Sequence, residues 1–436
     1  MPFDIDVASD APAGGPYLLG LLALAIEWAD VAFWVQCLLA GLILALSLGS
    51  LLALSKSSHW FVRGWEYPRI QIATMLAAFA VAFSLLHLLG GDWSLWDTLL
   101  LVLAGSVAAW HIVRIYVFTP IATRQVIDDD PALKGHGETI RVITSNVEME
   151  NTAYDRFIAM VTEEKPDVVI ALETDQNWVD GLAPLRDHFK HFIDIPQDNW
   201  YGMVLMTNLE LVDHDVRFIV QDDIPSIHAR LRAGDHCEFV LRCLHPRPPE
   251  PIRGTHATSR DAELVVVGRE IEESDEATIV TGDLNDVAWS HTTRLFLRLS
   301  EMLDPRRGRG LFTTWPVDHP FWRVPLDHVF HSEHFTFANL RRLPDIGSDH
   351  FPICADLVWR ASAELHQEPV AAYHDDEDEA QNKIDEAEEV NERKVRSPNR
   401  QLMSMLSRVG LSLDKSNRSG APNEPLAAPR RPGAAT

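Results

Sequence analysis

The chain is short of cysteine, of positive charge and of internal repetition, and each shortage closes off a class of protein. Its 436 residues include four cysteines, Cys37, Cys237, Cys243 and Cys354. They lack the spacing of a metal finger. Cys37 lies in an apolar stretch, and the other three leave one unpaired, so no disulfide framework is implied. Lysine and arginine number 38 against 63 aspartates and glutamates, for a formal charge of −25. That balance excludes a broad, sequence-independent grip on nucleic acid, which needs a basic surface. Met1–Gly15 is polar and acidic with proline and glycine, and has no basic start, which excludes a conventional signal peptide. No repeat recurs along the sequence.

Long apolar runs are present instead. Val31–Leu54 carries no charge over 24 residues, enough to cross a hydrocarbon layer of about 30 Å. Ile70–Leu89 is a second uncharged run, and Leu95–Phe118 a third, with Asp97 and Arg114 near its ends where each can snorkel. Trp60, Trp65, Tyr67, Trp93, Trp96 and Tyr116 sit at the edges of these runs, as interfacial aromatics do. Tyr17–Ile26 is apolar but short and is followed by Glu27 and Asp30, so it reads as an interfacial lead-in or an extension of the next helix. The expectation is a multi-pass integral membrane protein with three spans, near 31–54, 70–89 and 95–118, after an N-terminal segment 1–30.

Residues 119–137 read as a linker, with Pro120, the Asp128–Asp130 run and Pro131. Residues 138–360 then alternate strand and helix. Tyr154–Glu164 has Phe157, Ile158 and Val161 at helical spacing with Pro166 just beyond, and Ser259–Glu273 places Leu264, Val267 and Ile271 on one face behind Ser259 as N-cap. From 361 onward the composition turns acidic, with a solid run at Asp375–Glu379, and then rich in proline, alanine and arginine. This tail is expected to be disordered. Within it, Gln401–Leu413 is apolar enough for a short amphipathic turn that could dock a protein partner.

Five apolar runs in the middle region end in polar groups. Ile279–Asp286 (Ile-Val-Thr-Gly-Asp-Leu-Asn-Asp) reads as a strand whose end presents Asp283 and Asn285, two apart and so on one face. A carboxylate beside a neutral amide suits an attacking water and a phosphate oxygen. Arg141–Val147 ends at Asn146, Asp167–Glu173 at Glu173 and Phe239–His245 at His245, and Gly347–His350 (Gly-Ser-Asp-His) precedes one more run. The alternation points to an α/β fold, a two-sheet α/β sandwich with its site where the sheets' loops meet.

Taken together, these motifs resemble the endonuclease/exonuclease/phosphatase family of DNase I-like, metal-dependent phosphoesterases, in its membrane-anchored bacterial form. The resemblance covers roughly Glu138–Val358, with the motifs in the family's order. It implies a DNase I-like sandwich and a Mg²⁺ (or Mn²⁺) cofactor, a hard cation that prefers carboxylate and amide oxygen. By motif position it implies metal-site roles for Asn146, Glu173 and Asp349. Glu173 stands in Ala-Leu-Glu-Thr-Asp, where Leu172 replaces the family's usual glutamine. The implied catalytic residues are Asp283 for the water, Asn285 for a phosphate oxygen, His245 for the phosphate and leaving group, His350 for the transition state, and Asp327 to orient His350. His328 reads as packing. Arg247 reads equally as a phosphate contact or a surface charge, and Trp289 and Trp315 equally as site walls or core. His228, His236 and His256 read as surface or loop residues, and His291 has no assigned role.

The expected activity is that of a membrane-tethered phosphohydrolase or phosphodiesterase acting on a lipid-linked or small phosphate ester. The alternatives are a metal-dependent nuclease, disfavoured by the lack of a basic, aromatic-interleaved stripe, and a non-catalytic membrane scaffold with a partner-binding tail. Two arguments about sidedness conflict. Lys56, Arg63 and Arg69 in the first loop place it, and the C-terminal domain, in the cytoplasm by the charge rule. The resembling bacterial proteins place that domain outside, the side favoured here because Trp60, Trp65, Tyr67 and Pro68 make the loop interfacial.

Overall fold

The computed structural model describes residues 15–90, 92–130, 137–249, 256–360 and 367–391. The polar N-terminus, residues 131–136 of the expected linker, and residues 392–436 with the Gln401–Leu413 stretch lie outside the described residues.

Helices come first: α1 (Gly15–Leu52), the short α2 (Trp60–Gly64), α3 (Arg69–Gly90) and α4 (Leu95–Tyr116). Asp30–Leu52, Arg69–Leu88 and Leu95–Tyr116 are long and apolar enough to cross a membrane, with mean hydropathies of 2.3, 1.8 and 1.8. Tyr17–Ile26 lies within α1 and extends it. Ile43, Leu76, Phe83 and Val107 pack these helices together, while Trp34, Leu38, Leu85 and Val113 face outward. Asp97 does not stand alone as a snorkelling charge. It forms a capping box with Ser94 and closes the start of α4.

The strands follow in two groups with helices between them. β1 (Gly137–Asn146), α5 (Tyr154–Glu164), β2 (Val168–Leu172), α6 (Gln176–Gly181), β3 (His191–Ile195) and β4 (Met203–Thr207) open the first sheet. β5 (Glu210–Arg217), β6 (Ser226–Ala233), β7 (Cys237–Cys243), α7 (Thr258–Glu272), β8 (Thr278–Asp283), α8 (His291–Leu299) and β9 (Asp327–His331) make up the second. β10 (Phe335–Arg342) and β11 (Ile353–Arg360) return to the first sheet. The sheet orders are β10-β11-β1-β2-β4-β3 and β5-β6-β7-β8-β9.

β1 and β2 run parallel, as do β7 and β8, and parallel neighbours need a crossover, supplied by α5 and α7. Val168–Leu172 is apolar at every position because both of its faces are covered, and each of its residues is buried. Ile170, Leu205, Ile227, Leu241, Ile279 and Phe335 fill the space between the sheets. Phe157 and Trp178 cover the back of the first sheet, and Leu264 and Phe296 the back of the second. This is the expected two-sheet α/β sandwich. β1, β2, β7 and β8 all point their C-terminal ends at one edge, and antiparallel β9 starts there, with Asp327 opposite Asp283.

Three local expectations change. The N-cap of α7 is Ala257, with no side-chain cap, rather than Ser259. Its backbone N–H bonds the carbonyl of Ser58 at 2.8 Å, so an outside segment takes over the capping. The linker is partly docked: Thr336 Oγ1 and Arg360 both bond Asp129. The acidic tail is not wholly disordered, because residues 376–387 are helical. Asp376 pairs with Arg298 through two bonds of 2.7 Å, Lys383 with Asp261 at 2.8 Å, and Glu379 with His291 and Lys56. Acids that looked like a solvated run have basic partners elsewhere in the chain.

Candidate active site

The carboxylate of Asp283, buried at the end of β8, is the centre of the site. Its Oδ2 lies 3.1 Å from Asn146 Nδ2, 3.6 Å from His350 Nε2 and 3.9 Å from His245 Nε2. Asn146 also donates to Glu173 Oε1 at 2.8 Å, and that oxygen lies 4.0 Å from His245 Nε2. Asp327 Oδ2 bonds His350 Nδ1 at 2.8 Å. Asp349 sits half exposed at the mouth and accepts from Trp315 Nε1 at 2.8 Å. Glu173, Asp283, Asn285, Asp349 and His350 line one cleft of about 650 Å³. Asn146, His245 and Asp327 stand behind it in direct contact with those residues.

Local backbone explains how each side chain is delivered. Glu173 follows β2 with φ 62° and Asn285 follows β8 with φ 50°, turns out of the strands that cost little for asparagine and more for glutamate. Gly282 has φ 145°, and a Cβ there would lie 1.9 Å from the carbonyl oxygen of Leu244. Only glycine lets β8 approach the chain beside His245 so closely. The strand ends at Asp283, so Asn285 is not set by two-residue alternation. Its N–H donates to Asp283 Oδ1 at 2.8 Å and its Nδ2 to the carbonyl of Pro246 at 3.0 Å.

Asn146 is oriented by its neighbours. Its Oδ1 accepts the N–H of Glu148 at 3.0 Å, which only the amide oxygen can do, so Nδ2 faces the carboxylates. As placed, Asn146 holds Glu173 and Asp283 rather than offering an oxygen to a cation.

Burial dominates the charge states. It raises Glu173 to about 7, against the hydrogen bond from Asn146, with Asp283 and Asp349 adding to the rise. Burial also raises Asp283 above the usual carboxylate range. It lowers His245 to about 4, so that imidazole is neutral at neutral pH. Burial alone would lower His350 too, but Asp327 and Asp283 outweigh it and push it up to about 10.

Asp283, Asp327 and His350 bring one ligand atom each within 4.8 Å of one another, a grouping that could hold a metal ion. In the arrangement described, however, both ring nitrogens of His350 face carboxylates, and its cationic ring already fills that position. Glu173, Asp283 and Asp349 form the alternative set of hard oxygens.

Several other residues resolve. Trp315 walls the cleft, but Trp289 is buried core, its Nε1 donating to the carbonyl of Glu66 at 2.8 Å. Arg247 pairs with Asp223 at 2.6 Å rather than pointing into the cleft. His328 is packing, bonded to Asp286 O and Arg306. His228 is half-buried on β6 beside Arg217, and His256 stacks on His59 with centroids 4.7 Å apart.

The sequence reading did not anticipate residues from the loop between the first two apolar helices. Trp60, Phe61, Gly64, Trp65, Tyr67 and Pro68 line the same cleft. Tyr67 Oη donates to the carbonyl of Asn285 at 2.6 Å, joined there by Arg260 at 2.7 Å. Their aromatic content signalled an interface, but nothing in it indicated contact with residues more than two hundred positions away.

Residues 143–350 match the sequence model of the Endonuclease/Exonuclease/phosphatase family. That part of the chain belongs to this family. Endonuclease/exonuclease/phosphatase domains among solved structures include one from Bacteroides thetaiotaomicron, 16% identical, with a TM-score of 0.44, covering 51% of this chain and 99% of its own. A mannosyl-6-phosphatase of the same organism is 17% identical, with a TM-score of 0.42 and coverage of 50% and 99%. D. rerio TDP2 with a single-strand DNA product is 18% identical, with a TM-score of 0.43 and coverage of 50% and 98%. No curated protein matches the chain.

Proposed function

We propose that the chain is a membrane-tethered, divalent-metal-dependent phosphoric ester hydrolase acting on a lipid-linked or small phosphate ester. The observation that carries this is the convergence on Asp283 of Asn146, His245 and His350, with Glu173 held through Asn146, from four strand ends and the loop before β11. The three apolar helices are the proposed tether.

The donor set fits a hard cation such as Mg²⁺ or Mn²⁺. Three carboxylates, Glu173, Asp283 and Asp349, share a cleft with no lysine or arginine among its described lining residues, and Asp327 keeps Oδ1 buried without a partner. Such a cluster of carboxylates, offset only in part by the His350 imidazolium, is what a divalent ion neutralises. Glu173 and Asp349 would hold it, with Asp283 adjoining. Bound there, the ion stabilises the negative charge that builds on the phosphoryl oxygens.

The chain's own groups divide the rest of the work. Asp283, raised by burial, accepts a proton from the attacking water. His350, kept as an imidazolium and oriented by Asp327, donates to a non-bridging oxygen. His245 offers a neutral N–H toward the leaving-group oxygen. Among the described residues no lysine or arginine lines the cleft, so a nuclease reading finds no cationic rail there.

The full-length protein in detergent or nanodiscs should hydrolyse a generic aryl phosphate ester with Mg²⁺ or Mn²⁺ and stop when the metal is chelated. Asp283→Asn and His350→Ala should each lower kcat by about 10²-fold or more. Metal-independent turnover, or full activity in both variants, would overturn the reading.

A further inference from the structure

The cleft is larger than a phosphoryl group needs, and its lining is of two kinds. Glu173, Asp283 and His350 supply its polar lining, and Trp60, Phe61 and Trp65 from the loop between α1 and α3 supply its apolar lining. Its volume of about 650 Å³ is that of a site for a whole organic ligand. Phe61 remains 48% exposed, and a Cβ on Gly64 would meet nothing within 4 Å. Among the described residues, no side chain fills the space beside Gly64 at this apolar lining.

The apolar lining also lies close to the membrane-spanning helices of the proposed reading. Tyr67, bonded to the strand end that carries Asp283, is two residues before Arg69, where the span Arg69–Leu88 begins. Two residues of chain cover at most about 7 Å. Trp65 lies against Gly49 of α1, where a Cβ would sit 2.2 Å from its ring. Gln71, in the first turn of α3, bonds the carbonyl of Phe321 at 2.5 Å. An apolar chain could pass from the bilayer to the cleft without crossing open water.

We propose that this loop forms a hydrocarbon-chain subsite, and that the substrate is an amphiphilic phosphate ester drawn from the bilayer. Its chain lies along Trp60, Phe61 and Trp65 while its phosphate sits at Asp283 and His350. The proposal rests on the phosphoesterase reading and selects the lipid among the substrates that reading admits. Aromatic rings also stack nucleobases, but among the described residues no lysine or arginine lines the cleft to follow a polynucleotide backbone.

The test uses full-length protein in phosphatidylcholine nanodiscs with Mg²⁺ and p-nitrophenyl alkyl phosphodiesters of methyl, butyl and octyl chains, each below its micellar concentration. Burial of each methylene favours binding about fourfold, so kcat/KM should rise at least tenfold from methyl to octyl. Gly64→Trp, which fills the open space, and Phe61→Asp should each reduce that octyl-to-methyl ratio at least tenfold. A ratio near one in the wild type, or an unchanged ratio in both variants, would overturn the subsite.

A second measurement does not depend on turnover. Octyl phosphate should bind at least tenfold more tightly than methyl phosphate, read by tryptophan fluorescence against empty nanodiscs, and Gly64→Trp should abolish the difference. If no ester is hydrolysed but this difference holds, the hydrolase reading fails and the subsite stands. Equal binding of the two phosphates, or displacement of octyl phosphate by a single-stranded oligonucleotide at lower concentration, would overturn the subsite.

Discussion

At the scale of single residues, the site is a set of charges that depend on one another. Asp327 touches only His350 through Oδ2, yet it keeps that imidazole charged and pointed at Asp283. Removing it should act through His350 rather than through binding. Asp327→Asn is expected to lower kcat by about 10²–10⁴-fold while KM changes much less, because the imidazolium is needed where charge develops. His350→Gln should cost about as much, and the double variant little more than either alone, since parts of one unit are not additive. Steady-state kinetics of the three variants check this. Losses that multiply would show the two residues to be independent.

At the scale of elements, the sequence was most legible where one rule decides the outcome. Apolar runs of 20 residues or more became long helices, with observed limits at Gly15–Leu52, Arg69–Gly90 and Leu95–Tyr116. Tyr154–Glu164 matched its helix at both ends, because the αL residue Lys165 ends it just before Pro166. Strand ends were legible because an apolar run stops where a polar group must be presented. Side-chain direction beyond those ends was not, as Asn285 shows: left-handed backbone and a bond to Pro246 set it. The least legible element was the helix at 376–387. Its composition describes a solvated acidic run, and only the fold supplies Arg298 to Asp376, Lys56 to Glu379 and Asp261 to the helix's own Lys383. Arg298 and Asp376 are both about 4% exposed, so Asp376→Ala should cost about 3–5 kcal/mol by stranding a buried cation. Hydrogen exchange over 376–387 should rise in that variant. Unchanged protection there would mean that the ion pair does not hold the helix.

At the scale of the molecule, the apolar helices and the sandwich are joined by more than the chain that links them. Asp261, fully buried, meets Arg63 from the loop after α1, Arg260 from its own helix and Lys383 from the C-terminal helix, at 3.1, 2.8 and 2.8 Å. Burial alone would raise its pKa, but these three cations hold its carboxyl well below the usual range. Arg63 also pairs with Glu66 at 3.1 Å, Glu66 accepts the N–H of His291, and its carbonyl accepts from Trp289. The proposed three-span path would put the first loop and the sandwich on the same side of a bilayer, which agrees with these contacts.

If the helices span a bilayer as proposed, these ion pairs tie the sandwich to them, and a lean of the helices is expected to carry over into the attitude of the cleft. Spans of 20–23 residues measure about 30–35 Å and tilt when the surrounding lipid is thinner than they are. On the proposed reading, bilayer thickness is expected to become an input to turnover. Nanodiscs of graded acyl length should give a rate optimum for lipid-borne substrate, and Arg63→Ala, by loosening the brace, should flatten it.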